Sequence, residues 1–307
     1  MQAFNRFSLY IAGLALALGS CNFEDISPVV DIELPEHQSR PVIQFSLSAG
    51  DTLAAALISK SEALLDTGEY ELPANAAVRL LRDGQPLATL SLNAQEGLYQ
   101  AALSPALPAT PGARYRIEAD VPGLGLAFAE AVMPAPPVVN SVEFREDAVL
   151  SIDNFRYDEF IVDIEDPAGV ENYYAVSPVL YIGYEDTAGD TIYQSYGYIY
   201  TESNDPNLTE GYPLGFIFTD GAFDGRTYRT RLQADVPEFP EGDPVIQRLS
   251  IRVSQLTRES YLYLLSKNQY DLNFNNPFAE PSTVFNGITD GYGAFILSNS
   301  VEIPVSR

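Results

Sequence analysis

Ala77-Val78-Arg79-Leu80-Leu81-Arg82, then Asp83-Gly84, then Gln85-Pro86-Leu87-Ala88-Thr89-Leu90-Ser91-Leu92 is the stretch that decides the fold class. Apolar and polar residues alternate on both sides of Asp83-Gly84. A period of two puts one face of a strand in a core and the other in water. Asp-Gly between two such runs marks a β-hairpin, because both residues tolerate the positive φ of a tight turn. Pro86 so close to the turn predicts a loop longer than two residues.

The same alternation extends outward. Val42-Ile43-Gln44-Phe45-Ser46-Leu47 precedes the hairpin, and Leu98-Tyr99-Gln100 and Tyr115-Arg116-Ile117-Glu118-Ala119 follow it. Pro111-Gly112 punctuates them. Short strands at this spacing predict an immunoglobulin-like β-sandwich over residues 41–133. Pro134-Ala135-Pro136-Pro137 is then a stiff linker over 134–137, since proline cannot donate to a ladder.

Residues 138–307 read as a second β-rich, sandwich-like domain with one helix. Val142-Glu143-Phe144 and Phe160-Ile161-Val162-Asp163-Ile164 are strand-like. Tyr173 to Tyr184 and Thr191 to Thr201 form an expected long hairpin with its tip at Asp186-Thr187-Ala188-Gly189-Asp190. Strands are expected at 226–234 and 245–253. The helix is expected over 258–270, capped by Thr257, with Glu259 in its first turn and Tyr261, Leu264 and Leu265 on one face. The fold class is mainly β.

The N-terminus carries an export signal over residues 1–20. Arg6 is its positive region, and Leu9 to Leu18 its apolar stretch. That stretch is about ten residues, shorter than the ~18–20 of a spanning helix. It ends in Leu18-Gly19-Ser20-Cys21, a lipobox, so Cys21 is the expected lipidation site. Residues 21–40, with Asp31-Ile32-Glu33-Leu34-Pro35, read as a lipidated tether. Asn22-Phe23-Glu24-Asp25 places acidic residues just past the anchor, which resembles a signal for outward display.

Composition narrows the chemistry. The chain has 17 basic and 42 acidic residues, a net charge of −25. Such a surface repels nucleic acid, so no nucleic-acid partner is expected. Cys21 is the only cysteine and His37, in the tether, the only histidine. Histidine-based triads and zinc sites built on several histidines are thereby excluded. No cofactor, metal or catalytic residue is assigned. Carboxylate pairs suited to glycoside hydrolysis can be drawn anywhere among 42 acids, so none is informative. Asn204-Asp205 and Asp220 to Asp224 are oxygen-rich loops without the alternating ligand spacing of an EF-hand.

Tyrosine is unevenly distributed. Eight of the 19 fall between Tyr173 and Tyr200. Tyr196, Tyr198 and Tyr200 share parity, so on one strand they line one face. Such a row either strengthens the sheet through cross-strand pairs or presents a ligand and partner surface. Asp-(Ser/Thr)-aliphatic triplets occur at Asp51-Thr52-Leu53, Asp186-Thr187-Ala188 and Asp190-Thr191-Ile192. They resemble the O-glycosylation sequon of exported Bacteroidota proteins and mark Thr52, Thr187 and Thr191 as acceptors.

The C-terminal half carries ordered phrases. These are Phe216-Ile217-Phe218-Thr219-Asp220, Phe223-Asp224-Gly225-Arg226-Thr227-Tyr228, Ser260-Tyr261-Leu262-Tyr263-Leu264 and Asn275-Asn276-Pro277-Phe278-Ala279-Glu280-Pro281. Asn286-Gly287-Ile288-Thr289-Asp290-Gly291-Tyr292-Gly293-Ala294-Phe295 completes them. With the lipobox and tether, they resemble a Bacteroidota outer-membrane lipoprotein family catalogued as domain of unknown function 4249. The resemblance implies no catalytic residues. It implies an outer-membrane, outward-facing lipoprotein that acts as a non-enzymatic binding or accessory subunit of a TonB-dependent receptor. A structural envelope or adhesion lipoprotein without a small ligand is the alternative, and a hydrolase the third reading. Gly287, Gly291 and Gly293 are expected at tight turns or close backbone approaches.

Overall fold

The computed structural model describes residues 36–63, 72–151, 154–185, 189–195, 199–237, 246–274, 276 and 278–306. The signal, Cys21 and most of the tether lie outside them. Ser39–Arg307 forms one compact unit.

The described residues hold seventeen strands in chain order. The first seven are β1 (Pro41–Ser48), β2 (Leu53–Lys60), β3 (Ala77–Arg82), β4 (Gln85–Asn93), β5 (Leu98–Ala102), β6 (Arg114–Val121) and β7 (Gly125–Val132). Then come β8 (Val138–Leu150), β9 (Arg156–Glu165), β10 (Tyr173–Glu185), β11 (Thr191–Ser195) and β12 (Tyr200–Glu202). The last are β13 (Thr209–Glu210), β14 (Phe216–Thr219), β15 (Thr227–Asp235), β16 (Ile246–Leu256) and β17 (Tyr292–Val305), with helix α1 (Arg258–Phe274) between β16 and β17. The protein is mainly β.

The opening hairpin forms with a shorter turn than its sequence suggests. Arg82 pairs with Gln85, so Asp83 and Gly84 alone make the loop. Both have positive φ, 50° and 76°, as a two-residue hairpin turn needs. Pro86 is absorbed instead by a register shift between Leu80 and Leu81. A bulge accommodates a residue that cannot donate to the ladder.

Thirteen strands form one sheet in the order β13-β14-β10-β16-β17-β1-β2-β5-β4-β3-β6-β7, with β11 on the outer side of β10. A second sheet runs β12-β15-β9-β8. The two halves of the sequence share the large sheet through β17. Its first part lies parallel to β1, from Val42 opposite Tyr292 to Ser48 opposite Ser298. Its second part lies antiparallel to β16, from Leu256 opposite Ser298 to Leu249 opposite Val305.

Three apolar clusters follow from this topology. The first lies within β1 to β7 and also takes Ile288, Phe295 and Leu297 from the far end of the chain. Phe45 stacks on Phe295 at 5.3 Å between ring centres. The second fills the space between the two sheets, with Tyr174, Val176, Ile251 and Val253 facing Phe160, Val162 and Leu232. The third lies on the other face of the large sheet, where Tyr173, Ala175, Ile217, Ala294 and Ile296 meet Leu264 of α1. A strand buried on both faces reads as a continuous apolar run, which is why Tyr173-Tyr174-Ala175-Val176 does not alternate.

Helix α1 begins where expected and runs four residues further. Ser260 N–H donates to Thr257 Oγ1 at 3.2 Å, which satisfies one of the free N–H groups of the first turn. Leu264 is buried, and Tyr261 and Leu265 pack half-buried beside it.

The Thr191–Thr201 arm expected in the long hairpin divides. Thr191–Ser195 pairs with β10, whereas Tyr200–Glu202 pairs with β15 in the other sheet.

Candidate functional site

A two-part groove runs from the outer face of the large sheet to its β10 edge. On β1, β2 and β17, register places Gln44 and Ser46 beside Leu57 and Ala55 on one side and Ala294 and Ile296 on the other. Helix α1 borders this floor with Tyr263 and Lys267, and the cavity so formed holds about 430 Å³. Small residues on the floor leave the depth, and the helix supplies the wall.

A second cavity of about 290 Å³ opens at the edge of β10. Residues 173–176 of β10 pair with β14, and 181–185 pair with β11. The cavity sits between these ladders, at Ser177-Pro178-Val179, with Arg252, Glu210 and Thr201 around it. Tyr212 and Pro213 line both cavities and form the ridge between them. Their turn is closed by Gly211 N–H to Gly215 C=O at 2.7 Å and Leu214 N–H to Gly211 C=O at 2.9 Å. Tyr212 is exposed, with two-thirds of its surface open to solvent.

Arg252, in the wall of the second cavity, is held by a network on the strands behind it. Arg252 Nη2 donates to Tyr181 Oη at 3.0 Å and to Glu302 Oε2 at 3.1 Å. Tyr181 Oη in turn donates to Glu302 at 2.9 Å. Arg248 lies over the rings of Tyr181 and Tyr193, 4.4 and 5.3 Å from their centres. Burial raises the Asp51 carboxyl above its usual range, against the opposing pull of the Ser48 N–H bond and of Arg252. The residues lining the two cavities offer the hydroxyls and rings of Tyr212 and Tyr263, the Arg252 guanidinium, the Lys267 ammonium and the Glu210 carboxylate. That set suits recognition by stacking over the mainly apolar floor of the first cavity and by hydrogen bonding in the more polar second one.

Among the described residues, one acidic group could hold a metal ion. Asp166, Asp220 and Asp224 bring carboxylate oxygens within 4.8 Å of one another. The protein's own donors already serve them. Asp166 accepts from Tyr174 Oη at 2.7 Å, Asn172 Nδ2 at 3.2 Å and Gly225 N–H at 2.9 Å. Asp220 accepts from Asn172 N–H at 2.7 Å, and Asp224 from Gly169 N–H at 2.7 Å. Burial first, then the neighbouring Asp166 and Asp224, push the Asp220 carboxyl upward. Burial and the bond to Asp166 push the Tyr174 hydroxyl upward as well. These bonds tie the loop before β10 to the turns before β15. Asp205, in the other oxygen-rich loop, accepts from Asn207 N–H at 3.0 Å and from the Tyr228 hydroxyl.

Of the tyrosines singled out by parity, Tyr196 and Tyr198 lie outside the described residues, as does Thr187. Tyr200 is 48% exposed, on the four-stranded sheet. Its ring lies 6.4 Å from Tyr157, which meets Phe155 edge-on at 5.1 Å. Its hydroxyl donates to Glu202. Tyr173 and Tyr174 are core residues on opposite faces of β10. Thr52 is exposed before β2, and Thr191 pairs with Glu185 at the start of β11. Sequence reading missed Tyr212 and Pro213. Their only local signal is the Gly211-Tyr212-Pro213 turn, which looks like any loop until register brings it over the sheet.

The family described as Domain of unknown function (DUF4249) matches residues 28–303. The chain belongs to this family. The match runs through β1 and nearly all of β17, so the shared large sheet lies inside it. No curated protein matches the sequence.

Proposed function

We propose that this member of the family is a Bacteroidota outer-membrane lipoprotein, anchored through Cys21 and facing outward. In this reading it acts as a non-enzymatic binding and accessory subunit of a TonB-dependent transport system. The observation that carries the binding role is the groove divided by Tyr212 and Pro213. An exposed aromatic ridge between two troughs recognises a ligand by contact area at little entropic cost. The lipobox and the acidic residues after it support the address, and the order of the C-terminal phrases supports the partner. The strongly acidic surface keeps the protein soluble and away from polyanions.

Gentle detergent extraction of native outer membranes followed by pull-down tests the reading. A barrel protein recovered in stoichiometric amount is the expected result. Tyr212→Ala is expected to weaken capture of partner or ligand while leaving the thermal unfolding midpoint unchanged. Recovery of monomer alone in several detergents would overturn the accessory role.

A further inference from the structure

We infer that the C-terminal end of α1 and the turn after it form an apolar foot that inserts into the lipid surface to which Cys21 ties the chain. The inference rests on the lipid-anchor reading above. Leu272 is 70% exposed, Phe274 69% and Phe278 95%, with Tyr270 beside them. The Tyr270 and Phe274 rings lie 5.7 Å apart. Exposed apolar residues scattered singly are ordinary, but here four crowd residues 270–278: Tyr270 and Phe274 on one side of the helix end, Leu272 on another and Phe278 just past it.

The place of this group in the fold selects the occupant. Leu256 and Ser48 both pair with Ser298, so α1 starts at the level where β1 ends. Further along, Tyr263 and Lys267 border the same cavity as Gln44 and Ser46. The helix therefore descends against the direction of β1. Its 17 residues span about 25 Å, and the eight of β1 about 26 Å. The exposed end of α1 thus comes level with Pro41, where β1 starts. The return of the chain agrees, because β17 begins with Tyr292 opposite Val42. A Cβ on Gly291 would lie 2.6 Å from Pro41 O, and the Arg40 guanidinium lies 5.9 Å from the Tyr292 ring centre.

The polypeptide leading back to Cys21 leaves the folded unit at this same end. Residues 22–38, fully extended, reach at most roughly 60 Å. A surface held that near a bilayer needs only weak intrinsic affinity, since the tether supplies a high effective concentration. Aromatic and leucine side chains are those that settle at the headgroup boundary, about 5–10 Å deep. With a net charge of −25, attachment is apolar rather than electrostatic.

The chain has no tryptophan, so one can be placed as a unique probe. The lipidated protein carrying F278W is reconstituted in phosphatidylcholine vesicles, with L150W, on the four-stranded sheet, as the control. Intact mass first establishes the lipid on Cys21. The expected result for F278W is blue-shifted emission and severalfold stronger quenching by acyl-brominated phosphatidylcholine than for L150W. Adding L272S and F274S to F278W is expected to remove that quenching while circular dichroism stays unchanged. A lipidated chain in which the two probes behave alike overturns the foot alone. Emission shielded only after outer-membrane proteins are added also overturns it, in favour of a protein surface. An unlipidated Cys21 overturns the anchor and the foot together, whereas loss of the transporter partner leaves the foot intact.

Discussion

Gly293→Ala is the sharpest probe of how the two halves of the sequence are joined. Gly293 sits opposite Ile43 in the parallel ladder with φ +116°. A Cβ there would lie 2.0 Å from Ile43 O, 2.9 Å from Ile43 C and 3.2 Å from Ile43 N. All three atoms are backbone, so no side chain can swing aside. Two costs add. A non-glycine residue in such a conformation costs about 1–3 kcal/mol. Ordinary contact begins near 3.4 Å, so β17 must also move by more than 1 Å from β1. That breaks neighbouring ladder bonds over a buried core, at about 1–3 kcal/mol for each group left unpaired. Two such groups bring the total to about 3–9 kcal/mol, a large part of the ~5–15 kcal/mol of a typical domain.

Gly112→Ala is the control for strain alone, since Gly112 has φ +82° and nothing within 4 Å of an added Cβ. Gly287→Ala is the control for neither effect, with its nearest contact at 3.8 Å. Thermal and urea unfolding of the three variants reads the result. The expected midpoint loss for Gly293→Ala is about 10 °C or more, from about 2–4 °C per kcal/mol in a chain of this size. Gly112→Ala is expected to lose a few degrees and Gly287→Ala almost none. A Gly293→Ala midpoint equal to that of Gly112→Ala would refute the reasoning, because the strand would then yield without cost.

Asn172→Ala removes the side-chain donor shared by the buried carboxylates of Asp166 and Asp220. Taking one donor from these carboxylates, which keep Tyr174 Oη, Gly225 N–H and the residue 172 N–H, costs about 1.5–3 kcal/mol, read as a lowered urea midpoint; a loss below about 1 kcal/mol would count against a structural role for the cluster. Arg229 binds Asp163 through two bonds of 2.7 Å and, with Ser141, holds its carboxyl down at about 2 from 3.8. A lowered folded-state value means stability that is complete above about pH 4 and lost as pH falls toward 2. Arg229→Met is therefore expected to be less stable than the parent near neutral pH, with the difference shrinking below about pH 4; a difference that stays constant down to pH 2 would exclude this linkage.

Local patterns carried much of the architecture. Alternation around Asp83-Gly84 announces a hairpin because turn and strand preferences agree there, and the Thr257 cap with the Leu264 face announces a helix for the same reason. Pro86 misled on loop length because a bulge two residues from the turn absorbs it. The Thr191–Thr201 arm misled because its aromatic alternation says that a strand is favourable, not which sheet receives it. Tyr200 consequently belongs to a different sheet from Ile192 and Tyr193.

The candidate groove was less legible. Tyr212, Gln44, Lys267 and Ala294 come from four separate parts of the chain, and each alone reads as loop, strand or helix surface. Asp166 lies far in sequence from Asp220 and Asp224, so only the two turns they close bring them together.

By itself, the sequence determined what depends on neighbours along the chain. That is the mainly β class, the capped helix, the acidic surface, and the lack of histidine and cysteine chemistry in the folded part. Tertiary structure alone decided that β17 divides its pairing between β1 and β16 and so makes one sheet of both halves. It also decided which tyrosines are core. The physical reason is that strand pairing satisfies any backbone alike. Its register is chosen by packing between residues hundreds of positions apart, such as Phe45 on Phe295, and no local pattern encodes that choice.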